Sequence, residues 1–91
     1  MKIQELYSDE SRWFQGSFAK TVEGDDIYLE DSKAYSFCLW GALRKCYPDR
    51  LERIQVASLI SKATSVEMVA FNDAEGRTFG EVKELVDRLD I

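Results

Sequence analysis

Hydrophobic and polar positions alternate with different periods along the chain, and the clearest period lies near its C-terminal end. Val82, Leu85, Val86 and Leu89 recur at i, i+3, i+4 and i+7, behind "TFGE", which sets Thr78 and Glu81 at capping-box spacing. This pattern predicts a helix with one apolar stripe and a defined start. Glu84 and Arg88 stand four apart on it, a spacing at which an ion pair contributes roughly a few tenths of a kcal/mol. At the other end, Ile3, Leu6 and Tyr7 keep the i, i+3, i+4 spacing, and residues 2–8 read as a short helix that must pack on something to persist.

Between these helices the period changes. Residues 12–20, "RWFQGSFAK", are dense in aromatics, and Phe14 and Phe18 share a face at period two, which predicts a strand. Glycine at position 16 of that strand indicates a bulge or a close backbone contact. "VEGDD" supplies a turn around Gly24, and "IYL" follows as a second short strand. The pair reads as a β-hairpin. Asp31 or Ser32 can cap the next helix, expected to run to about Tyr47 and to be apolar nearly all round, as a central helix is. Ala34, Cys38, Gly41 and Ala42 form a stripe of small residues on it, and Gly41 costs roughly 1 kcal/mol of helix propensity unless another element approaches there.

Pro48 ends that helix, and Asp49 with Glu52 three residues on opens another, carrying Leu51, Ile54, Ala57, Leu59 and Ile60 to about Ala63. Residues 66–71, "VEMVAF", read as a third strand or extended segment, and "NDAEG" as a turn. The expected fold is therefore α+β: a small β-hairpin or three-stranded sheet packed on about three α-helices, in a single domain spanning 1–91.

Composition narrows the function classes. At 45 % hydrophobic and 12 % aromatic the chain is of the globular type. It has no apolar run near the ~20 residues of a membrane span and no apolar signal core at its start, so the expected compartment is the bacterial or infected-host cytoplasm. The net charge of −5 resides in one stretch: "EGDDIYLED", residues 23–31, holds five acids and no base, and the remainder carries twelve of each sign. Direct nucleic-acid binding needs a basic face and is not expected, whereas a basic protein partner fits.

Three stretches, "WFQG" at 13–16, "CLWGAL" at 38–43 and "FNDAEGRTFGEV" at 71–82, together resemble an uncharacterised family of short bacterial and phage proteins. That family shows a Trp-x-Gln-Gly segment, a Cys-x-x-Gly-Ala-Leu helix and an aromatic-Asn-Asp turn leading through Gly-Arg-Thr to Glu-Val. The resemblance covers most of residues 13–82, implies one coherent domain and brings no chemistry with it. The opening helix and the acidic stretch lie outside the shared pattern.

Candidate chemistry is sparse. Cys38 is the one evident nucleophile, but the chain has no histidine, which removes Cys-His and Ser-His catalysis within it. Among Phe37, Leu39 and Trp40 the thiol reads as core packing. Cys38 and Cys46 lie eight apart, ~12 Å of helical rise, too far for a disulfide. Two such cysteines do not make a zinc site, and the acids of 23–31 lack the EF-hand order, so no metal or cofactor is expected. Gln15, Asn72, Asp73 and Arg77 form a polar cluster with Thr78 at a helix start. It reads as a ligand site using free helix amides or, more simply, as turn and cap residues with Arg77 paired to Asp73. Gly76 and Gly80 precede no Lys-Ser/Thr and form no phosphate loop.

The leading expectation is a small acidic, non-enzymatic protein-interaction module working through Glu23, Asp25, Asp26, Tyr28, Glu30 and Asp31. Its partner would be a basic, nucleic-acid-handling host complex such as a defence nuclease, with the chain as a phage or mobile-element inhibitor, a setting drawn from the resemblance. The alternatives are a small-molecule-binding or thiol-dependent enzyme domain using Cys38 with Asn72, Asp73 and Arg77, and a homodimer formed through the small-residue helix.

Overall fold

In a computed structural model describing residues 1–91, α2 (Leu39–Cys46) lies at the centre and the other elements pack around it. It buries Leu39, Ala42 and Leu43 completely. α1 (Ile3–Leu6), α3 (Arg50–Thr64) and α4 (Met68–Asp73) lie against it, and α5 (Phe79–Leu89) closes the far side by packing on α1 and α3. β1 (Ala19–Lys20) and β2 (Ser36–Phe37) form a two-stranded antiparallel sheet that leads directly into α2. The fold is α+β, and one cluster of fifteen buried apolar residues joins all five helices to the sheet. Each fully buried Leu, Ile, Val or Phe in it contributes roughly 1.5–3 kcal/mol of transfer free energy.

The elements with explicit local signals fall where the sequence places them. At α5, Glu81 N–H donates to Thr78 Oγ1 at 3.2 Å, and Thr78 N–H donates back to Glu81 Oε1 at 2.9 Å, so the capping box is complete. Asp49 caps α3 by accepting from Glu52 N–H at 2.9 Å. α1 buries Ile3 and Leu6, and Tyr7 just past its end is buried too, its hydroxyl donating to Phe37 O at 2.9 Å. No helix is long and apolar enough to cross a membrane.

Three stretches differ. Residues 12–20 are not a continuous strand: a 3-10 turn at Glu10–Arg12 leads to a single bridge at Trp13, and only Ala19–Lys20 is in the sheet. Gly16 at φ 111° turns the chain out of the extended region, and the Trp13 and Gln15 side chains are held by α4. β1 forms its strand pair with Ser36–Phe37, and the predicted hairpin partner meets the other side of β1 only at its start, through the Lys20–Asp26 bridge and the Ile27 N–H to Ala19 O bond. Ser36 and Phe37 are therefore strand, and α2 begins at Leu39, later than the apolar run implied; Asp31 caps a turn, accepting from Lys33 N–H at 2.8 Å. Third, residues 66–71 are not a strand. Met68–Asp73 is helical because Glu67 caps it, accepting from Val69 N–H at 3.2 Å and Ala70 N–H at 3.3 Å.

Side-chain partners also shift. Arg77 pairs with Glu81 at 3.1 Å, not with Asp73, and on α5 the ion pair is Lys83–Asp87 at 2.8 Å instead of Glu84–Arg88. On α3 the buried stripe is Val56 and Ile60, which leaves Leu51, Ile54 and Leu59 exposed.

Candidate functional site

Asn72, at the last turn of α4, is 1 % exposed and uses every hydrogen-bonding position of its amide. Its Oδ1 accepts from Trp13 Nε1 at 2.6 Å and from Leu39 N–H at 3.0 Å. Its Nδ2 donates to Phe14 O at 3.3 Å and Asp73 Oδ1 at 2.8 Å. The Leu39 amide is one of the donors that the first turn of α2 leaves without a helical partner, so Asn72 caps α2 from across the core. Gln15 completes the join by donating to Asn72 O and Ala74 O, both at 2.9 Å, and Gly16 N–H donates to Asp73 Oδ1 at 3.1 Å. The aromatic segment, the thiol helix and the Asn-Asp turn thus meet at one side chain.

Cys38 stands beside this junction as the N-cap of α2, its Sγ accepting from Gly41 N–H at 3.3 Å. It is 4 % exposed, and burial pushes its thiol up despite the Gly41 amide, which pulls the other way. Burial likewise pushes Cys46 up to about 11. Both cysteines are free. Gly41 is required for a different reason from the capping: a Cβ there would collide with the Phe18 carbonyl oxygen. The close approach expected of the small residues is made by the chain's own loop, and Cys38, Gly41 and Ala42 are buried within it; Ala34 lies outside the helix.

The cluster proposed from sequence therefore does converge, but on itself. None of the surface cavities is lined by Gln15, Cys38, Asn72 or Asp73. Arg77 sits slightly apart: its Nε donates to Phe71 O at 2.8 Å, and its guanidinium lies 3.9 Å over the Phe71 ring. The thiol is raised by burial, the Asn72 amide is saturated, and the Arg77 guanidinium is stacked on Phe71 and paired with Glu81. No group of three or more Cys, Asp and Glu side chains is placed to hold a metal ion.

The acidic stretch has the opposite character. Glu23, Asp25, Asp26, Tyr28, Glu30 and Asp31 are all exposed, Tyr28 at 84 %. Asp26 accepts from Ser17 Oγ at 2.6 Å and lies 3.7 Å from Lys20 Nζ. Asp31 is engaged by its own turn. Glu23, Asp25 and Glu30 make no side-chain hydrogen bond and no ion pair. Glu30 borders a cavity of about 290 Å³ with Arg44, Lys45 and Arg53, yet bonds none of them. Beside it a shallow cavity of about 240 Å³ is formed by Phe18, Ile27, Tyr28 and Leu29 with Asp26, Glu30 and Arg44 at its edge.

Phe18, Val22 and Arg44 belong to this surface and were not legible as such. The period-two reading puts Phe18 on a face with Phe14 without saying which way that face turns; in the structure Phe18 is 52 % exposed and lies in the cavity that Arg44 borders. Neither any curated protein nor any solved structure matches this chain. The chain belongs to a family of unknown function, DUF6197, whose model matches residues 4–89 and so takes in both the Asn72 junction and the acidic stretch.

Proposed function

We propose that this protein is a non-enzymatic binding module that engages a cationic protein partner through its 23–31 surface. The observation that carries the reading is that the side chains of Glu23, Asp25 and Glu30 have no partner within the chain, and that Glu30 and Asp26 share a surface cavity with the exposed rings of Phe18 and Tyr28. Unpaired carboxylates beside exposed rings offer a cation both charge and a π face, and they steer association with basic partners. Cys38 and Asn72, on which the thiol-dependent alternative rests, are buried and hydrogen-bonded within the fold, which favours a binding role over that alternative. A nucleic-acid-handling protein, whose working groove is cationic, is the partner class that such a surface suits.

The test neutralises only the three carboxylates that do nothing inside the chain: Glu23→Gln, Asp25→Asn and Glu30→Gln together. Tagged wild-type protein and the triple variant are compared in affinity capture from bacterial lysate. The expected result is a partner of high isoelectric point held by the wild type, released by raised salt and lost from the variant, with unchanged thermal unfolding. Equal capture by both proteins would refute the reading.

A further inference from the structure

The acidic stretch is also the open edge of a sheet. On the side of β1 away from β2, the chain at 25–27 runs antiparallel to it: Thr21 N–H donates to Asp25 O at 2.8 Å and Ile27 N–H to Ala19 O at 3.2 Å, on either side of the Lys20–Asp26 bridge. Those bonds use the inward backbone groups of Asp25 and Ile27. By the alternation of an extended chain, the N–H and C=O of Asp26 and the N–H of Tyr28 face away from β1, and none of the three has a partner in the molecule. Sheet edges are ordinarily guarded by charged side chains, proline or a covering loop, and here the guard is wholly acidic, Asp25, Asp26, Glu30 and Asp31, so it repels like charge and admits cations. A second copy is a poor occupant, because it would bring five more carboxylates against these five. An extended cationic segment meets complementary charge, and its aliphatic stems meet Phe18 and Tyr28.

We propose that the Asp26–Tyr28 edge accepts an extended lysine- or arginine-bearing segment of a partner protein by β-strand addition. The proposal rests on the cationic-partner reading above and gives it a mode: backbone pairing supplies register, and the carboxylates select cations at alternating positions.

The full chain, labelled with ¹⁵N, is titrated with acetyl-(Lys-Val)₄-amide and with the fully N-methylated form of the same peptide, which carries the same charge and can donate no backbone hydrogen bond. The expected result is slowed hydrogen exchange at the Asp26 and Tyr28 amides with the first peptide, and binding of the methylated one weaker by about tenfold or more, the worth of one or two hydrogen bonds. Equal affinity for the two peptides, or protection centred elsewhere, would overturn strand addition and leave the acidic-surface reading standing. No binding of either peptide, or equal binding to the Glu23→Gln/Asp25→Asn/Glu30→Gln variant, would overturn both.

Discussion

Replacing Asn72 by alanine separates a structural junction from a ligand site. The substitution removes one acceptor serving two donors, the Trp13 indole N–H and the Leu39 amide, and one donor serving Phe14 O and Asp73. Leu39 is fully buried and its amide has no helical alternative, so the loss leaves an orphaned donor in the core. An unsatisfied buried donor costs about 1–3 kcal/mol, and with the half-buried indole as the second the sum is about 2–5 kcal/mol. A domain of this size has roughly 5–13 kcal/mol in all, so the variant stays folded with much of its margin gone. Urea unfolding followed by far-UV circular dichroism reads this as a midpoint lower by ~1 M or more, given a slope of about 1–2 kcal/mol/M. A double-mutant cycle with Trp13→Phe should return a coupling of about 1 kcal/mol, since the indole bond is shared. A midpoint within ~0.3 M of wild type, or above it, would refute the reasoning. Residues that serve a ligand are often suboptimal for stability, and such a result would return Asn72 to the list of binding residues.

Three other outcomes follow from the same contacts. Gly41→Ala should lower the melting temperature by about 10 °C, because the collision with the Phe18 carbonyl outweighs the ~1 kcal/mol of helix propensity gained; an unchanged or raised value would contradict that contact. In the folded protein at pH 8, Cys38 and Cys46 should react with Ellman's reagent about a hundredfold more slowly than in urea, since burial raises both thiols; rapid labelling of one native thiol at Cys38 would refute its interior placement. The Glu81 carboxyl is held below its ordinary range by the Thr78 amide and hydroxyl and by Arg77, so its stabilisation is full above the unfolded value of about 4.3 and is lost as the pH falls through the lower folded value. The stability difference between wild type and Glu81→Ala should therefore be level above about pH 5 and shrink in acid, and a difference that widened in acid would be incompatible with the capping box.

Readable and unreadable parts of the chain divide by where each residue's partner lies. Thr78 and Glu81 serve one another across three positions, Asp49 serves Glu52, and Pro48 needs no partner to stop a helix, so these boundaries are written locally. Phe37 is apolar in a run that looks helical, yet its burial is achieved as a strand against Ala19, a fact about a residue eighteen positions away. "VEMVAF" has strand composition, but Glu67 caps it into a helix and Asn72 must be carried at the end of that helix to reach Trp13 and Leu39. The polar cluster was legible as a set of residues and not as a junction, because its real partners are the Trp13 indole, 59 positions away, and the backbone amide of an apolar residue, Leu39. The acidic stretch was legible because exposure and like charge are local properties; the sheet edge within it depends on the Lys20–Asp26 pairing and was not.

Three of the four side-chain bonds at Asn72 span 33 to 59 residues of chain, and that span bears on timing. Closing contacts of that span costs loop entropy, and the expectation is that they form after the local helices and open before them. Chevron measurements on an Asn72 variant should show a steeper escape from the native state with nearly unaltered refolding. That outcome would make this amide a latch on the folded lifetime, one that leaves the rate at which the chain finds its shape untouched and sets how long the shape is kept.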